Sequence, residues 1–426
     1  MSDAGRTEGP SQRRYRWLPR RPTLYTLGGE ERHAGWLELF FDLVFVLAVA
    51  ELAHYLHEHM TLAGYLGFAF LFVPVWWSWL GFSYYADQFD VEGTFFRVVM
   101  LTAMLVSTAL AVNVYSAFDG GSARFAASYL LLRFMLIGLY VWAWRQVPVA
   151  RALCARYVVG FSLGAALWSV SLLLPEPTRY WLWGVALFVE VATPVVAHLS
   201  ILPSIPIQVS HMPERFGLFT IIVLGESIIV TGLGVADTSW RPGSVLVAVS
   251  GFVIVACLWW LYFDHVDNEV MYRSYSAGVR ELLLGYFWSY AHLVIFASLT
   301  AIAVGIEFAI GEATDEALLQ STRVALCGGV GAYLLATGTT QYLSLGAIDK
   351  RAFLARLGVA TGALALVPLS AALDPAVLAS ILALALAVLT AFETRRPTPR
   401  SAGDAGEKSV PDPRPAGDRT ARTSDG

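Results

Sequence analysis

The chain has 426 residues, 56% of them hydrophobic and 15% charged, with a formal net charge of -4. About 25% charged residues is usual for a soluble domain, so the composition excludes that class, and the small net charge argues against a nucleic-acid partner. Apolar runs of about 20 residues recur and ten-residue alternating segments do not dominate, which selects an all-α polytopic membrane protein over a β-barrel.

Residues 1–35 are polar and arginine-rich and read as a disordered tail; no cleavable signal peptide is visible. Twelve spans are predicted at about 37–56, 62–84, 95–117, 124–144, 157–174, 179–199, 214–234, 243–263, 282–305, 324–346, 353–372 and 375–392. Residues 394–426 read as a second disordered tail. With the N-terminus inside, the inner segments collect Arg97, Arg145, Arg151, Arg156, Arg215, Arg273, Arg280, Lys350, Arg351 and Arg356. The outer loops hold only Arg124, Arg179, Arg241 and Arg323. The bias places both termini in the cytoplasm.

The first span, Trp36 to His57, carries Glu38, Asp42, Glu51 and His54. A carboxylate at mid-helix costs roughly 2.5–3.5 kcal/mol on insertion scales, so these acids are expected to face other helices, water or an ion. Glu38 and Asp42 are one turn apart and share a face. Glu38, and Glu214 at the start of span seven, also suit the positive end of a helix dipole; Asp42 lies too deep for that explanation. His54, His57 and His59 with Glu51 are weak metal candidates at the outer end of span one. Arg133 in span four, Glu190 in span six, Glu226 in span seven and His292 in span nine fall near mid-depth, Glu226 about 18 Å from the inner end. Arg133 is expected to pair with Glu226 or Glu190. Trp76, Trp77, Trp79, Tyr84 and Tyr85, then Trp259, Trp260 and Tyr262, read as an interfacial belt.

Three anchors recur in order: Glu38-Leu-Phe-Phe and Glu214-Arg-Phe-Gly; Asp87-x-x-Asp90-x-Glu92 and Asp264-x-x-Asp267-x-Glu269; Arg151-Ala-Leu-Cys-Ala-Arg156 and Arg351-Ala-Phe-Leu-Ala-Arg356. They predict two parallel six-helix repeats, 36–200 and 211–393, with any shared site near the axis between them. The D-x-x-D-x-E runs are not EF-hand loops and read as solvated loop ends. Cys154, Cys257 and Cys327 have no redox or zinc spacing, and no nucleotide, serine-nucleophile or zinc-protease motif occurs, so no cofactor is expected.

At Glu38-Leu-Phe-Phe-Asp42-Leu-Val-Phe-Val46 and His211-x-x-Glu214-Arg-Phe-Gly-Leu-Phe-Thr-Ile-Ile-Val-Leu-Gly-Glu226-Ser227 the sequence resembles the bacterial low temperature requirement protein A family, over roughly residues 30–393. The resemblance implies a multi-pass protein of the bacterial inner membrane and names no substrate. Phe41-Asp42-x-Val44-Phe45 is similar to the Phe-Ser-Asp motif of potassium channels built from six-helix repeats, whose first helices line the pore; Phe41 stands in place of the serine. The leading expectation is a transporter or channel for a small ion or solute, with the acids of spans one and seven as translocation groups. The rivals are a membrane enzyme or redox partner acting on lipid or quinone, and a stress-response scaffold; the reading leans away from an enzyme. The expected partners are the bilayer and a small ion or solute, and homo-oligomerisation stays open.

Overall fold

The computed structural model describes residues 22–24, 35–90, 93–201, 212–238, 240–264, 278–313 and 318–395. Most of both tails, His211, Glu92, Asp267 and Glu269 lie outside the described residues.

Among the described residues twelve long helices follow one another: α1 (Trp36–Glu58), α2 (Leu62–Gln88), α3 (Thr94–Val112), α4 (Ser122–Gln146), α5 (Arg151–Ser171), α6 (Thr178–Leu199), α7 (Met212–Asp237), α8 (Pro242–Phe263), α9 (Val279–Gly311), α10 (320–345), α11 (Lys350–Leu369) and α12 (Pro375–Thr394). Each predicted span falls on one of them. Ten, α2 to α9 with α11 and α12, are long and apolar enough to cross a membrane. The other two are unusual. Four acids interrupt α1, and π-helical segments at Val324–Gly328 and Gln341–Leu345 interrupt α10. A two-residue antiparallel pairing, Thr23–Leu24 with Phe89–Asp90, lies at the end of α2.

Local chemistry sets several helix starts. The Thr61 hydroxyl accepts from the Gly64 N–H at 3.1 Å, and the Asp349 and Asp374 carboxylates accept from Ala352 and Ala376 N–H at 2.7 and 2.8 Å. Such caps satisfy amides the helix leaves open. Pro242 and Pro375 open α8 and α12, where a missing N–H costs nothing.

The longest helix, α9, packs against α1, α2, α6, α7, α8, α10 and α12. Close approach needs small residues. A Cβ on Gly329 would meet Ile302 of α9 at 2.8 Å, and one on Gly331 would meet Leu364 of α11 at 2.7 Å. Large apolar side chains such as Leu105, Val159, Phe188 and Leu384 stand more than half exposed on the outside. A bilayer accommodates that surface and water does not.

The aromatic belt is partly corrected. Trp76, Trp77, Trp79 and Tyr85 are buried between helices; Trp259 and Trp260 are about half exposed, as a belt requires. Trp79 is held at 5.1 Å from Phe216 and 4.6 Å from Phe219, so its ring fills interhelical core. The first D-x-x-D-x-E run is also corrected: Asp87 is the penultimate residue of α2 and is buried, whereas Asp264, just past α8, is exposed.

Candidate functional site

Asp42 lies six residues into α1, and Arg215 three residues into α7. The two helices touch, and both side chains are sealed from solvent, 1% and 0% exposed. The Arg215 Nη2–H donates to Asp42 Oδ1, its Nε–H donates to Oδ2 at 3.3 Å, and the Trp79 indole N–H donates to Oδ1 at 2.7 Å. The Glu38 and Asp87 carboxylates also act on the Arg215 charge. Arg215 Nη1 has no hydrogen-bond partner. The guanidinium lies about 6.0 Å from the Phe41 and Trp79 rings. An ion pair in so dry a place is tolerable only because each charge finds the other.

Further along the same seam, α1, α7 and α9 bring His57, Glu226 and Glu307 together. His57 Nδ1 lies 3.3 Å from Glu307 Oε2, and the Glu307 charge acts on Glu226. Glu226 is half-buried and has no hydrogen-bond or ion-pair partner among the described residues. Glu214 lies in the first turn of α7, and Glu51 is half-buried in α1. His292 is fixed within α9. Its Nδ1 lies 2.8 Å from the Trp288 carbonyl, and its Nε2 lies 2.8 Å from the Tyr262 hydroxyl. The carbonyl can only accept, so Nδ1 carries the proton and Nε2 accepts from Tyr262.

Two further buried charge pairs stand away from the seam. Arg133 of α4 lies 3.6 Å from Glu190 of α6, one of its two expected partners; the Tyr129 hydroxyl donates to the same Glu190 oxygen at 2.5 Å. Arg356 of α11 donates from Nε and Nη2 to Glu393 of α12 at 2.7 and 2.6 Å, and from Nη1 to Gln341 at 2.6 Å. A cavity of about 30 Å³, room for a water or two, adjoins Trp77, Gln88, Tyr140, Tyr157, His198 and Tyr286. Of these lining residues, His198 Nε2, Gln88 Oε1 and Trp77 Nε1 are buried with no hydrogen-bond partner among the described residues.

The weak metal candidates separate. His54 stacks on Tyr115, His57 turns to Glu307, and His59 bonds the Tyr55 carbonyl. Among the described residues no group of three or more His, Cys, Asp or Glu is placed to hold a metal ion.

Sequence reading missed Arg215, Trp79, Glu307 and the Arg356–Glu393–Gln341 set as partners. Arg215 carried a usable signal, because it lies within about 5 Å along its helix of the depth at which Asp42 lies along α1.

With the helices and their buried charges in place, comparison with known proteins gives the family. The model of the bacterial low temperature requirement A protein (LtrA) matches residues 33–391. The chain belongs to the LtrA family. The match reaches into all twelve helices and ends within α12, so Asp42, Arg215, Arg133 and Arg356 all lie inside the LtrA region. A relative in Rhizobium meliloti (strain 1021), itself described as uncharacterized, is 28% identical over 290 residues, covering 66% of this LtrA chain and 70% of that protein. No solved structure matches.

Proposed function

We propose that this LtrA protein is a transporter or channel that moves a small cation across the bacterial inner membrane along the seam of α1, α7 and α9. The observation that carries the reading is the Asp42–Arg215 pair, closed across α1 and α7, with the acids Glu226 and Glu307 farther along the same interface. Two neighbouring acids, one of them unpaired, form a field that draws a cation. Asp42 must let go of Arg215 before it can receive one, so the pair acts as a gate and not as an open pore.

Duplication supports the same seam. The order of helix neighbours recurs: α1 with α2 and α3, α3 with α4, α4 with α5, α5 with α6; then α7 with α8 and α9, α9 with α10, α10 with α11, α11 with α12. Two parallel repeats would bring α1 and α7, the first helix of each, together at the axis. The excess of inner arginines and lysine favours both termini on the cytoplasmic side. The enzyme reading gains less support, since the cavity beside His198 has room for water and not for a quinone ring, and the larger groove between α5 and α6 is lined by no carboxylate or imidazole.

The test is ion flux into proteoliposomes containing the full chain, with potassium, sodium and proton gradients imposed in turn. The expected result is flux of at least one of these ions that falls about tenfold or more in Glu226→Gln. Flux equal to empty vesicles for all three ions, or wild-type flux in Glu226→Gln, overturns the proposal.

A further inference from the structure

We propose that the outward groove between α5 and α6 binds one anionic phospholipid, with its phosphate on Arg156. The groove measures about 560 Å³, and its apolar walls include Val159, Leu163, Phe188, Ala192 and Val196. Arg156 and Ser200 line one end of it, and the other polar side chain in the lining, Thr193, donates its hydroxyl to the Val189 carbonyl of its own helix. From Ser200 to Phe188 the α6 wall runs about 18 Å, close to the hydrocarbon depth of one leaflet. The graded lining, charge at the rim and a mainly apolar wall below, matches a lipid in chemistry and in length.

Arg156 has the charge such a headgroup needs. Its described partner is the Ala152 carbonyl of its own helix, at 2.8 Å. The arginine at the matching place in the second half, Arg356, is buried and answered by Glu393 and Gln341. Arg156 is instead exposed, and no acid answers it among the described residues. It lies five residues into α5, about 8 Å from the helix start, a depth from which a long side chain reaches the phosphate level. Bidentate geometry suits a guanidinium to phosphate, and a zwitterionic lipid would bring its own cation into this field.

Native mass spectrometry of the delipidated full chain tests the assignment, using phosphatidylglycerol and phosphatidylcholine with the same acyl chains. One basic residue at the membrane surface corresponds to about a fivefold preference, so the wild type should retain phosphatidylglycerol about fivefold over phosphatidylcholine. Arg156→Gln should bring that ratio to about one, and Arg156→Lys should keep most of it. Ala192→Phe, which fills the groove without touching the charge, should reduce adducts of both lipids. Unfolding midpoints of all three variants should match the wild type. No wild-type preference, or a preference that survives Arg156→Gln, overturns the proposal; so does undiminished lipid retention in Ala192→Phe.

Discussion

Replacing Asp42 by Asn keeps the side chain's shape and removes its charge, leaving Arg215 sealed at 0% exposure beside an amide. Removing one partner of a buried ion pair costs about 3–5 kcal/mol. The Glu38 and Asp87 carboxylates still act on Arg215, which places the expected loss near the lower end, about 3 kcal/mol. Removing both charges, as Asp42→Leu with Arg215→Met, strands the Trp79 indole N–H, at about 1–3 kcal/mol, and also withdraws a cation from the buried Glu38 and Asp87 carboxylates. The cycle formed by this double variant with Asp42→Leu and Arg215→Met alone should give a coupling of about 2 kcal/mol or more. Reversible unfolding in mild detergent, followed by tryptophan fluorescence, measures all of these. A coupling below about 0.5 kcal/mol would refute the claim that the two charges depend on each other.

The second half should show the same dependence with a tighter pair. Glu393→Gln removes the anion facing Arg356 and one of the two acceptor oxygens, and should cost about 3–5 kcal/mol in the same unfolding assay. It should also speed amide exchange at Gln341–Leu345, since Arg356 bridges the two. Glu176, in the loop between α5 and α6, accepts from the Ser122 hydroxyl, which holds its carboxyl below the usual range. A carboxyl lowered in the folded state adds stability above its ordinary value of about 4.3, and that contribution is lost as pH falls through the lowered folded value. The wild type should thus exceed Glu176→Gln in unfolding midpoint at pH 7, and the two should converge as pH falls through the lowered folded value.

The helices were legible because a bilayer demands about 20 apolar residues in a row, whatever their neighbours turn out to be. Depth was legible for the same reason, at 1.5 Å per residue, so Arg133 was matched to acids at its own height. Which way each side chain pointed was not. Depth left Glu190 and Glu226 equal as partners for Arg133, and packing of α4 on the α5–α6 pair decided for Glu190. Arg215 and Arg356 counted toward the charge bias and the repeat anchors and not as buried charges, because an arginine near a helix end normally reaches water. Both turned inward, to Asp42 and to Glu393. Trp76, Trp77 and Trp79 misled in the opposite sense. Their position near a span end suited a belt, while the space between α2 and its neighbours needed large rings.

The length of α9 bears on where water stops. Its 33 residues measure about 50 Å, against about 30 Å of hydrocarbon. Laying it wholly within the oil would take a tilt of about 53°, beyond the 0–40° range of spanning helices. One or both tips must therefore project among headgroups. Glu307 is four residues from the far tip, so projection there would open a wet vestibule over His57 and Glu226, and a hydrated ion would shed little of its shell before meeting the first carboxylate.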